Sequence, residues 1–172
     1  YTKQIFSDLP KKIKHLSHIY KMLNDLGKKN EIKEIQNTIY KIINDEITNN
    51  DNKAIALVEI IHANLLLNKI DYVKKDLNDA IKYAEKSNTY LSIAKVYYEL
   101  ENKNKMSQFL DKAKDTAKLK DQEFWIVREL INIALFENKI QLKKNSNLTL
   151  IEAKKNMPEN PDERLVLELV NA

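Results

Sequence analysis

The segment YLSIAKVYYELENKNKMSQFLDKAKDTA, residues 90–117, gathers Tyr, Ser, Lys, Glu and Asp, types that can act as nucleophiles or proton-transfer groups. Such groups work only when a backbone presents them, as in a nucleophile elbow or a glycine-lined phosphate cradle. Gly27 is the only glycine, and its place between two periodic segments is that of a helix C-cap. His15 and His18 stand three apart, a spacing that brings two imidazoles to one helix face, but no Asp, Glu or third His completes a four-ligand set nearby. Glu59-x-x-His62 matches half of the motif that di-iron bundles use twice, and no second copy follows. The residues therefore predict no catalytic centre, no metal and no cofactor. The sequon Asn147-Leu148-Thr149 carries little weight, because such triplets arise often by chance.

Composition narrows the elements that could position these side chains. The chain has 172 residues, 43% hydrophobic and 31% charged, enough for one domain with a sizeable core. One Gly and three Pro are too few for the turns of a β protein or the loops of an α/β protein, so the expected class is all-α. The net charge is +4, but lysines alternate with acids and only Arg128 and Arg164 are arginine, which argues against a nucleic-acid partner. Without Cys, disulfides and zinc-thiolate sites are excluded. No apolar run approaches a membrane span and no signal peptide is present. The compartment stays open, with the cytoplasm as the expectation. A start at Tyr1 rather than Met suits a processed or trimmed chain from which an upstream signal or anchor could have been removed.

Apolar residues recur at three- and four-residue steps nearly throughout. Ser7 and Asp8 before Leu9-Pro10 read as a helix start. The breaks fall at DLGKKNE, TNNDN, NKID, EKSNT, ENKNK and ENKI. They predict about eight helices in antiparallel pairs: 9–29 with 31–48, 53–67 with 70–86, 89–101 with 103–119, and 121–137 with 139–156. PENPDE ends the last pair, and Asn160-Pro161-Asp162-Glu163 opens a final helix running to about Val170. The segment over 53–67 is apolar around much of its circumference, as in a helix buried on two sides.

The second member of each pair carries a large residue and a small one three apart. Leu77-x-x-Ala80 recurs as Leu110-x-x-Ala113 and Leu150-x-x-Ala153, with Tyr40-x-x-Ile43 as a weaker copy. In the first members, Tyr90, Ile93, Ala94 and Tyr97 spell large-x-x-large-small-x-x-Tyr. This pattern resembles the tetratricopeptide repeat (TPR) family, whose second-helix places are filled by Met106, Leu110 and Ala113. Leu57, Ile60, Ile61 and Asn64 align less closely, as do Val127, Leu130, Ile131 and Ala134, which lack the aromatic. Pro158 matches the proline that often follows the second helix. The shifts of 37, 33 and 40 residues depart from the family's 34, and QLKKNSN, residues 141–147, reads as an insertion. The resemblance covers residues 53–158. It implies one all-α domain over 1–172, a TPR-like α-solenoid of stacked hairpins with a divergent first pair at 9–48 and a capping helix at 159–172.

Members of that family present a concave face of first helices to a peptide or partner segment. On this chain the resemblance assigns Val58, His62, Leu65, Leu91, Lys95 and Tyr98 to that face, together with Ile55. Apolar, Lys and Tyr side chains together suit a segment of some acidic character. The family's cationic clamp for C-terminal carboxylates is not reproduced. The expected function is a non-enzymatic protein–protein interaction module or scaffold. The alternatives are a self-associating structural scaffold, hence a homo-oligomer, and a Lys-dependent binder of nucleic acid or acidic surfaces.

Overall fold

The computed structural model describes residues 9–159, 161 and 163–170. Among these, nine α-helices form and no strand does: α1 (Leu9–Asp25), α2 (Lys29–Lys41), α3 (Asn50–Leu66), α4 (Ile70–Tyr83), α5 (Ser87–Glu99), α6 (Lys103–Ala117), α7 (Glu123–Lys139), α8 (Lys143–Lys155) and α9 (Glu163–Val170). The all-α class is as the composition predicts. Eight of these helices form the four expected pairs, and the ninth, against a total expected at about eight, is the final short helix read after Pro161. The start signal at Ser7-Asp8 and the cap residues Asn160 and Asp162 lie outside the described residues.

Helix ends have local causes. At Gly27 the backbone turns left-handed (φ 68), and the chain closes a Schellman motif: Gly27 N–H donates to Asn24 C=O and Lys28 N–H to Leu23 C=O, both at 3.0 Å. The same two bonds recur around Asn68, Glu101 and Gln141, the other residues with positive φ (55, 56 and 65). These four turns join α1 to α2, α3 to α4, α5 to α6 and α7 to α8. After Lys41 the backbone loosens into a π-helical segment, Ile42–Glu46, and Ile47 N–H reaches back to Ile42 C=O. Asn49 then caps α3 by accepting from the Asn52 N–H at 2.9 Å, so the loop expected over residues 48–52 is shorter than the sequence implied.

The turns provide a common frame. Twelve residues after the left-handed residue stand Ala80, Ala113 and Ala153, each fully buried, and in the first hairpin Ile39, also fully buried. The weak copy of this motif is therefore Gln36-x-x-Ile39, one helical turn before Tyr40-x-x-Ile43. Seven residues before the turn stand Ile61, Ala94 and Ala134, which corrects the register of the fourth pair. Its equivalent set is Leu130, Ile133, Ala134 and Glu137, three residues beyond the one read from the sequence. QLKKNSN is no insertion, since Gln141 is the turn residue and Lys143 already begins α8. The extra length lies in α7, a turn longer than α5, and in the connection before it.

Contacts divide the chain into two compact units. One contains residues 1–85 and 95–102, the other residues 86–94 and 103–172, so the division falls inside α5. In the first unit α1 packs on α2 and α3, and α3 on α4. Helix α3 is buried on several sides, with Ala54, Ala56, Leu57, Ile60, Ile61 and Ala63 all in the core. In the second unit α7 packs on α6 and α8, and α9 covers parts of both α7 and α8. Its core joins Ala117, Ile126, Val127, Leu130, Ile131, Ala153 and Leu165. Tyr90 and Phe109 rings, centroids 6.3 Å apart, tie the start of α5 to α6.

Candidate functional site

The residues assigned to a partner face divide by burial. Val58 and Leu91 are core side chains, 4% and 6% exposed, so they offer no open surface; an α3 apolar on most sides turns Val58 inward. His62 and Leu65 are half-buried, while Lys95 and Tyr98 are exposed, Tyr98 at 47%. Leu91 belongs to the second unit and the other five to the first. Within the first unit, His62 Nδ1 lies 3.1 Å from Glu99 Oε2, which joins α3 to the C-terminal end of α5. Lys95, Tyr98 and Glu99 stand at i, i+3 and i+4 and share one helix face. Leu66, 71% exposed, follows His62 by one turn. Sequence reasoning missed Glu99 and Leu66, although both lie one turn from residues it selected.

His15 and His18 are both exposed, and His15 Nδ1 lies 2.9 Å from Lys11 C=O of its own helix. Among the described residues no group of three or more His, Asp or Glu side chains is arranged to hold a metal.

The structure also contains buried polar clusters across the hairpin turns. Four residues before each hairpin turn and eight after it, one finds Leu23 and Ile35, Asn64 and Asp76, Tyr97 and Phe109, and Glu137 and Thr149. In the second hairpin Tyr40 Oη donates to Asp76 Oδ2 at 2.7 Å, and Asn64 Nδ2 donates to the same oxygen at 3.4 Å. Tyr20 Oη donates to Asn64 Oδ1 at 3.0 Å and accepts from Lys69 Nζ at 2.7 Å. This network draws together α1, α2, α3, the turn and α4. Burial pushes the Asp76 carboxyl up to about 6, against the opposing pull of the Tyr40 hydrogen bond and of Lys75. Burial, then the bond to Asp76, raises the Tyr40 phenol far above its ordinary value. Burial also raises Tyr97. In the fourth hairpin Thr149 Oγ1 donates to Glu137 Oε2 at 2.7 Å, and Lys114 Nζ of α6 lies 2.8 Å from Glu137 Oε1.

A carboxyl near 6 suits proton transfer, but Asp76 is 1% exposed and enclosed by its own partners. What it does chemically is lock helices in register. It also makes folding pH-dependent. The folded chain holds this proton more tightly than the unfolded one, so the contribution of Asp76 to stability is fully present below about pH 4 and is lost as pH rises to about 6. Asp76→Asn should remove that slope. Thermal melts of both proteins from pH 4 to 7 measure it, and parallel pH profiles would contradict the role given to Asp76.

The class these observations define is an all-helical protein in which consecutive helices pack in hairpins with a recurring turn. Among the described residues no helix is long and apolar enough to cross a membrane. Comparison with protein-family models, curated proteins and solved structures gives no match.

Proposed function

We propose that the chain is a non-enzymatic protein-interaction module of the TPR-like kind, built from stacked hairpins, and that one of its surfaces holds a segment of another protein. The observation that supports this reading is the recurrence of one hairpin design four times, with a shared left-handed turn and a fixed buried position twelve residues beyond it. Repetition of a unit that cannot bury its apolar face alone is the hallmark of arrays that offer extended surfaces. The partner face in this reading consists of His62, Leu65, Lys95 and Tyr98, extended by Leu66 and Glu99, all within the first unit. It combines apolar contact, a cation and a phenol hydroxyl, the composition of protein interfaces with an acidic element.

The test is Lys95→Glu combined with Tyr98→Ala. Both side chains are solvent-exposed, so the far-ultraviolet circular dichroism and melting temperature should change little. Partners recovered by affinity capture with the parent chain should fall at least tenfold with the variant. Equal recovery would remove this face from the proposal.

A further inference from the structure

We propose that a groove between α8 and α9 is a second docking surface, and that its occupant is an amphipathic helix of another protein with acidic residues beside its apolar stripe. The groove lies wholly within the second unit and stands or falls separately from the face on α3 and α5. Its volume is about 570 Å³, and apart from Lys154 its lining is apolar, with Ile151 and Met157 on one side and Val166 and Val170 on the other. Ile151 is 53% exposed and Val170 75%, and Leu148, one turn before Ile151, is 57% exposed. A solvent-facing apolar strip of this kind marks a contact surface.

Two features select the occupant. Both walls are helices, whose backbone groups are satisfied internally except at their ends, so no edge is available for an added strand. An occupant must bring its own backbone hydrogen bonds, which a helix does. The second feature is charge. Lys144, Leu148, Ile151 and Lys155 follow at i, i+4, i+7 and i+11 and form one stripe, with Lys154 beside it. No carboxylate among the described residues engages Lys144, Lys154 or Lys155; the α8 acid, Glu152, is held by Lys118 at 2.7 Å. Glu163, the first residue of α9, is exposed and one turn before Val166. The cations thus flank the apolar strip and complement an acidic helix. The same stripe opposes a second copy: antiparallel pairing of α8 with itself sets Leu148 against Ile151 but places Lys144 against Lys155.

The experiment selects a display library on the full chain. The library consists of 16-residue helices with fixed apolar residues at i, i+3, i+4 and i+7 and randomised flanks. Acidic residues should be enriched in the flanks. Affinity of selected clones should fall at least tenfold with Ile151→Asp and with the Lys154→Glu, Lys155→Glu pair. Circular dichroism confirms folding of these surface variants. No enrichment, basic or neutral flanks, or clones indifferent to Ile151→Asp would overturn the proposal. Sedimentation showing a dimer that Ile151→Asp abolishes would assign the groove to a second copy instead. Binding to phosphatidylserine vesicles that is lost in the same variant would assign it to a lipid surface, and either result would overturn an acidic protein helix.

Discussion

Lys114→Met should destabilise the second unit by about 3–5 kcal/mol, the typical cost of stripping one partner from a buried ion pair. Glu137 is fully buried, and its carboxylate is held by the Lys114 ammonium at 2.8 Å and the Thr149 hydroxyl at 2.7 Å. Methionine fills much of the lysine stem's space but leaves the carboxylate with one neutral donor in a desolvated site. At about 2–4 °C per kcal/mol, the melting temperature should fall by roughly 6–20 °C. Replacing both partners, Lys114→Met with Glu137→Leu, should recover most of the loss. An apolar pair of similar volume is often as stable as the ion pair it replaces. Thr149 would remain satisfied, since without Glu137 its single hydroxyl proton turns to Asn145 C=O, 3.0 Å away. A single variant that melts within a degree of the parent would contradict the Lys114–Glu137 contact.

Ala153→Trp should cost about 3 kcal/mol, the upper end of the usual range for overpacking. Ala153 is fully buried in the cluster formed by Ala117, Ile126, Val127, Leu130, Ile131 and Leu165. An indole there must displace α8 from α7 or α9. Leu148→Ala on the same helix is the control. Leu148 is 57% exposed, so its truncation should change stability by less than about 0.5 kcal/mol. Urea denaturation measures both. Equal tolerance of the two changes would show that α8 faces another way, and the register of the fourth hairpin would fail with it.

Much of the helical pattern is legible in the sequence, because apolar periodicity and short polar breaks are strong signals. The turns are only partly so. Gly27 and Asn68 are residue types that favour the left-handed conformation, whereas Glu101 and Gln141 are not and take it because the hairpin demands it. The fourth hairpin was read three residues out of register for a related reason. Ile126, Val127, Leu130, Ile131, Ile133 and Ala134 are all buried, and so wide an apolar surface fits two registers equally well. Only the turn at Gln141 distinguishes them. The same width hid which side of α3 faces outward, and so Val58 was assigned to an open face. The buried polar pairs Asn64 with Asp76 and Glu137 with Thr149 escaped because polar side chains are ordinarily expected on the surface. Their signal was the constant twelve-residue separation across each turn.

The design repeated through the chain is a hairpin closed by a left-handed residue, and substitution of that residue tests it most directly. Glu101→Gly and Gln141→Gly should each stabilise the protein by about 1 kcal/mol, since glycine enters this conformation without the steric cost that a side chain bears. Asn68→Gly should gain less, because Asn tolerates the conformation better. Gly27→Ala should lose about 1 kcal/mol on backbone grounds alone, because an added Cβ meets no atom within 4 Å. Thermal melts followed by circular dichroism report all four. The predicted result is higher melting temperatures for the three glycine variants and a lower one for Gly27→Ala. Lower melting temperatures for Glu101→Gly and Gln141→Gly, as for glycine placed inside a continuous helix, would contradict the repeated turn.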